Sequence, residues 1–212
     1  PIACGKVSLT SAYSILAVLI YITIILCVFV SFQLTIIILC YWLINYSYNM
    51  RLKGWPIIDV FCIASGFVLR MLAGTVGVGL PYSRWLLVSV TFLSLLIAFS
   101  KRYLEKKREL IEHVRPVLKY YNNAVLKYLM IINAVFALVS YLVYIMAVHR
   151  QNLFFLLTTC FAIVGMFRFV HVILSSDTQQ DDPILVMLGD NQVLIYTFAF
   201  ATCTILAFLG TY

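Results

Sequence analysis

Residues 11–32 read SAYSILAVLIYITIILCVFVSF, a run without a single charged side chain. As a helix, a run of about 20 apolar residues matches the hydrocarbon thickness of a bilayer. It is apolar on every side, which argues against the alternating pattern of a membrane β-barrel strand. Six more long, mostly apolar runs lie at 34–48, 57–76, 85–100, 124–148, 153–174 and 191–208. The run at 34–48 is short for a span. The expectation is an all-α, polytopic transmembrane helical bundle of about seven spans. Composition agrees: 64% of residues are hydrophobic and 11% charged, where a soluble domain carries about 25% charge. No Pro-, Gly- or Ser-rich linker interrupts the chain, so residues 1–212 are expected to form a single transmembrane domain.

Taking the runs as spans places all eight carboxylates, and most basic residues, on turns facing one compartment. The opposite turns carry Arg84, His149 and Arg150. The net charge of +7 is then a topology signal first. The positive-inside rule puts the 101–119 segment in the cytosol and the C-terminus outside. The same cations favour anionic lipid or phosphate, and nucleic acid is not needed to explain them. Cys4, Cys27, Cys40, Cys62, Cys160 and Cys203 form no CxxC pair. Five of them sit in apolar runs as small packing residues, not as a disulfide frame or metal site. The chain starts at Pro1 with no signal peptide before its first apolar run, and the expectation is that an N-terminal part is missing from it.

Ser8, Thr10 and Ser11 are candidate N-caps for the first helix. Residues 45–56 form a polar turn, with Trp55-Pro56 at the start of the next helix. Gly and Pro break the chain at 77–83, GVGLPYS. The segment 101–119, KRYLEKKRELIEHVRPVLK, sets Leu104, Leu110, Ile111 and Val114 among charges. It is expected to be an amphipathic helix across the mouth of the bundle, ended or bent at Pro116. Residues 175–190 form the last turn on that side, and Asp190 is positioned to cap the final helix.

A charge inside a span costs roughly 2.5–3.5 kcal/mol on insertion scales, so each one needs a reason. Arg70 lies deep in the run IIDVFCIASGFVLRMLAG. Asp59 lies eleven residues earlier on the same helix, roughly 16 Å and close to three turns away, so the two could line one wall without pairing. Alternatively, Arg70 snorkels to the far headgroups. Arg168, late in its span, readily reaches the interface. His171, one turn on, reads as interfacial, and His113 and His149 as ordinary loop residues. Tyr48 and Lys53 put a hydroxyl and an ammonium near one membrane face, suited to a phosphate. Lys101, Arg102 and Glu105 (KRYLE) read in isolation as a solvated surface pairing along a helix. No Walker loop, HExxH, GxSxG or paired-Cys zinc pattern occurs. Chemistry must then rest on carboxylates, Lys, Arg and Tyr around a phosphate-bearing substrate, which usually brings Mg²⁺.

Several segments fall together in order: YNMRLKGWPIIDVFCIASGFVLRMLAG (48–74), LPYSRW (80–85), SKRYLE (100–105) and VRPVLKYY (114–121). This order resembles the UbiA-type intramembrane transferases. It is most similar to the decaprenyl-phosphate 5-phosphoribosyltransferase branch, with its YSxxLK, FxxRxxAG, PxSxW and GKRxxE segments. The opening PIACGKVS is similar to that branch's RPIAxGxVS, and DPILVMLGDNQVL (182–194) to its PExxxxxDxxL. The resemblance covers nearly the whole chain. It implies about nine helices around a cavity open to the cytosol and laterally to lipid. It also implies transfer of 5-phosphoribose from phosphoribosyl pyrophosphate to a polyprenyl phosphate, with Mg²⁺, at the plasma (inner) membrane. On this sequence, Tyr48, Lys53 and Asp59 would line the polar mouth and Arg70 would project toward the cavity. Lys101, Arg102 and Glu105 would replace a second acidic motif, and Arg168 joins them as a phosphate-binding candidate. A cationic motif suits a phosphate acceptor, whereas an acidic one would serve a second metal.

Some positions depart from the pattern. The family's first Asp-rich motif, which holds Mg²⁺, would lie upstream of Pro1 together with two helices, so no metal ligand is assigned in this chain. Alone the chain is expected to be inactive. Ile184 and Ser100 stand where Glu and Gly are usual. The competing readings are a prenyltransferase joining an allylic diphosphate to an aromatic or lipid acceptor, and a non-catalytic membrane homologue. A homo-oligomer is a candidate assembly.

Overall fold

The computed structural model describes residues 4–5, 8–109, 116–149, 152–175, 180 and 182–209. Among these residues stand eight α-helices and no strand. They are α1 (Leu9–Val30), α2 (Phe32–Met50), α3 (Ile58–Gly74), α4 (Arg84–Glu109), α5 (Asn123–Val148), α6 (Leu153–Ser175), α7 (Pro183–Leu188) and α8 (Asn191–Leu209). Short 3₁₀ turns occupy Leu52–Gly54, Val76–Val78 and Pro116–Tyr120. Six helices are long and apolar enough to cross a membrane: α1, α3, α4, α5, α6 and α8. The expected seventh span is α2, a helix of 19 residues. Gln33, Asn45, Ser47 and Asn49 dilute it below the apolarity of the others. The chain is an integral, polytopic helical membrane protein.

The chain divides into two compact units. One comprises residues 1–43 and 69–81, the other residues 44–68 and 82–212. In the first unit, Ser8 caps α1 by accepting the Ser11 N–H at 3.1 Å. Cys27 is the buried residue of α1. Ser31, between α1 and α2, accepts the Leu34 N–H at 3.0 Å and donates to the Gly77 carbonyl at 2.5 Å. A Cβ at Gly77 would sit 2.9 Å from Leu34 Cδ1, so glycine permits this close approach. Gly79 ends the turn in the left-handed region, φ +79°.

In the second unit α4 packs along α5, α6 along α8, and α5 along α6. At the end where α4 and α6 finish and α5 and α8 begin, the core contains Leu96, Leu104, Leu118, Leu126, Met130, Ile173 and Val186. Asn122 caps α5 through the Ala124 N–H at 2.8 Å. At the opposite end, His149 stacks on Phe155 with ring centroids 3.8 Å apart. Its Nε2 lies 2.9 Å from the Tyr144 hydroxyl, and burial lowers its pKa below 6.5.

Two local expectations need correction. The helix of the fourth span does not stop at Ser100. It runs unbroken to Glu109, because Lys, Arg, Glu and Leu are good helix formers whose charge does not interrupt the backbone pattern. Residues 101–109 therefore extend a span rather than begin a separate helix across the mouth. Residues 110–115, with His113, lie outside the described residues, as do Lys6 and Arg150. The last turn also contains helix α7. Asp182 caps it through the Ile184 N–H at 2.9 Å and Pro183 opens it, the favoured place for proline.

Candidate functional site

Arg102 organises the polar end of the second unit. Four turns of α4 beyond Leu87, it is completely buried, as is Asp59 on α3, and Glu105 is 3% exposed. Each guanidinium nitrogen has its own neighbour. Nε lies 2.6 Å from Asp59 Oδ2. The N–H is not aimed along that line, so the contact is an ion pair rather than an aligned hydrogen bond. Nη1 donates to Glu105 Oε2, one turn on, and Nη2 donates to the Tyr48 hydroxyl at 3.3 Å. One guanidinium thus joins the end of α2, the start of α3 and the end of α4.

Tyr121, just past the 3₁₀ turn Pro116–Tyr120, completes the cluster. Its hydroxyl donates to Asp59 Oδ1 at 2.6 Å and accepts the Ile57 N–H at 2.6 Å. Burial, then the bond to Asp59, raise the phenol's pKa above its ordinary range, so it remains a donor near neutral pH. Buried charges survive only when paired and hydrogen-bonded, and here both carboxylates share one cation. The cluster refutes the solvated-surface reading of KRYLE. The partner that buries Arg102 comes from a helix 43 residues earlier in the chain.

The remaining candidates are placed as follows. Lys53 is exposed on the turn Leu52–Gly54, and Lys101 is half-buried on α4. The Asp59–Arg102 pair draws their two stretches of chain together. Arg102 itself offers no exposed surface to a substrate phosphate. Arg70, in the other unit, is exposed. It donates to the Tyr41 hydroxyl at 2.6 Å and lies 5.2 Å from that ring's centroid. Arg168 on α6 pairs with Asp190 at 2.7 Å through Nη2, with Nε at 3.3 Å from the second oxygen. Asp190 also accepts the Val193 N–H at 2.9 Å, so it caps α8 as expected. The bond from Arg168, followed by this backbone bond, lowers the pKa of Asp190 below 3.8. Among the described residues no group of three or more His, Cys, Asp or Glu could hold a metal ion.

Sequence reasoning missed Tyr121 and the pairing of Arg168 with Asp190. It also missed an apolar cavity of about 300 Å³ lined by residues of α4, α5, α6, α7 and α8. Ile97, Leu138, Phe161, Gly165, Met187 and Tyr196 are among its walls. Ile97 stands five residues before Arg102 on α4, about 7.5 Å along the axis at 1.5 Å per residue. Five residues is also about 140° of rotation at 3.6 residues per turn, so the ion cluster and the apolar cavity use different faces of α4.

Fold and site together define a class: a polytopic helical membrane protein with a buried Asp–Arg–Glu cluster at the polar end of one unit and an apolar cavity among its helices. Residues 1–189 match the UbiA prenyltransferase family, and the chain belongs to that family. It is similar to the decaprenyl-phosphate phosphoribosyltransferase of Mycolicibacterium smegmatis, with 30% identity over 156 residues, 72% of this chain and 48% of that protein. The protein of the same name from Corynebacterium glutamicum is 36% identical over 107 residues, 50% of this chain and 32% of that one. The one from Mycobacterium tuberculosis H37Rv is 26% identical over 145 residues, 66% and 47% respectively. The chain spans about half or less of the length of these relatives.

Proposed function

We propose that this protein is a polyprenyl-phosphate transferase, and specifically that it moves 5-phosphoribose from phosphoribosyl pyrophosphate to a polyprenyl phosphate such as decaprenyl phosphate. One observation carries the reading: Lys101, at the polar end of α4, stands one turn past Ile97 on the same face of the helix, and Ile97 lines the apolar cavity. An amphiphile with an anionic head and a hydrocarbon tail fits that arrangement. The names of the similar proteins support the same substrates. Lys53 and Lys101 would hold phosphate oxygens as point charges. The lipid phosphate oxygen bonds to the anomeric carbon while the bond from that carbon to pyrophosphate breaks, the electron pair leaving with pyrophosphate. Cations beside the leaving group stabilise the charge that builds there, the main catalytic term. Arg168 remains a candidate phosphate contact.

Mg²⁺ is proposed as the companion of the pyrophosphate. The described residues do not themselves fit a site for it, since Asp59 and Glu105 are committed to Arg102, and no step is derived through it. The proposed location is the plasma membrane with the polar end cytosolic, following the basic residues.

The test is transfer by the intact protein in nanodiscs, supplied with phosphoribosyl pyrophosphate and decaprenyl phosphate. Lipid-linked phosphoribose is the expected product. Lys53→Ala and Lys101→Ala should each raise the KM for the donor about tenfold, the loss of one charge-assisted contact. Product formed only from an allylic diphosphate and an aromatic acceptor would replace this reading with the prenyltransferase one.

A further inference from the structure

We propose that Tyr121 is a positioning residue, a latch that holds the turn carrying Lys53 in its phosphate-binding conformation. The proposal rests on the phosphate-binding role of Lys53 given above. Ile57, which joins that turn to α3, has φ +70°. A β-branched residue rarely adopts this left-handed conformation. Ile57 is 52% exposed, so burial of its side chain does not explain why the conformation persists. Its backbone N–H donates to the Tyr121 hydroxyl at 2.6 Å, and that hydroxyl donates to Asp59 at 2.6 Å. A single oxygen therefore ties the strained junction to the buried ion cluster. The turn Leu52–Gly54 also packs on the 3₁₀ turn Pro116–Tyr120.

The adjacent tyrosine cannot substitute. Tyr120 is 77% exposed, whereas Tyr121 is 7% exposed. Strain held by its surroundings is commonly found where geometry must be fixed in advance. Here the geometry fixed is the place of Lys53, four residues before Ile57. Tyr121 does not touch substrate in this scheme and acts only through the turn.

The experiment uses the intact protein in nanodiscs with Tyr121→Phe, Lys53→Ala and the double variant. Tyr121→Phe should raise the KM for phosphoribosyl pyrophosphate about tenfold with kcat changed less than about twofold, because ground-state placement is lost and the reacting groups remain. The double variant should be no worse than Lys53→Ala alone, since both changes act on one contact. Amide exchange in the 52–58 turn should accelerate at least about tenfold, with α5 unchanged. Faster exchange with wild-type KM, or additive losses, overturns the latch, as does unchanged exchange. If the wild type turns over no phosphoribosyl donor, the functional reading fails separately. The latch is then judged by binding of inorganic pyrophosphate. Binding weakened by both single variants, and no further by the double, sustains it. Binding unmoved by Tyr121→Phe overturns it.

Discussion

Replacing Arg102 with methionine removes the cation shared by two buried carboxylates. The cluster of Asp59, Arg102 and Glu105 carries a formal charge of −1 from one guanidinium and two carboxylates. Arg102→Met makes it −2 without opening the site to water, since Asp59 is fully buried and Glu105 nearly so. Removing one partner of a buried ion pair costs about 3–5 kcal/mol, chiefly from the charge left behind. At about 2–4 °C per kcal/mol for a chain of this length, the unfolding midpoint should fall by roughly 6–20 °C. The assay is a thermal melt of the protein in nanodiscs of fixed lipid composition. The triple variant Asp59→Asn, Arg102→Met, Glu105→Gln should recover most of the loss, because no unpaired charge remains. A shift below about 2 °C for Arg102→Met, or a triple variant as unstable as the single, would refute the claim that charge pairing holds these three helix ends.

Three further outcomes are expected. Gly165→Leu should fill the apolar cavity, where even a Cβ would stand 3.3 Å from Tyr196 Cβ; kcat/KM for the lipid acceptor should drop about tenfold or more, near 1.4 kcal/mol of transition-state binding, with the KM for the donor unchanged. The folded pKa of Asp190 is depressed, so its contribution is complete above its ordinary 3.8 and is lost as pH falls from there through the folded value. Asp190→Ala should remove that acid-side dependence in melts and cost about 1 kcal/mol through the lost cap. His149 is also depressed, from 6.5: the unfolded chain takes up a proton first, so stability should fall as pH drops below 6.5, and melts of His149→Phe should lack this slope.

The spans were legible because mostly apolar runs near the bilayer's thickness have few alternatives. The end of α4 was not, since hydropathy collapses at Lys101 while the backbone stays helical to Glu109. A charge pattern along one helix also hides what lies across from it. Lys101, Arg102 and Glu105 look solvated until Asp59 and Tyr48 are folded against them. Tyr120 and Tyr121 are indistinguishable as neighbouring interfacial tyrosines, and only packing exposes one and buries the other. The ordered motifs supplied what periodicity could not, because Tyr48, Asp59, Arg102 and Glu105 all fall within them. Asp182-Pro183 did carry a local signal for α7, the cap followed by proline.

The 26 residues of α4 extend about 39 Å at 1.5 Å each, against about 30 Å of hydrocarbon. From Arg84 to Arg102 the rise is about 27 Å, so with Arg84 at one boundary Arg102 arrives at the other. α4 can thus be threaded into lipid while its ionic tip still sits in water. Dehydration is deferred until neighbouring rods meet. Insertion can then precede docking, with the Arg102 guanidinium losing its water only when Asp59 is there to meet it.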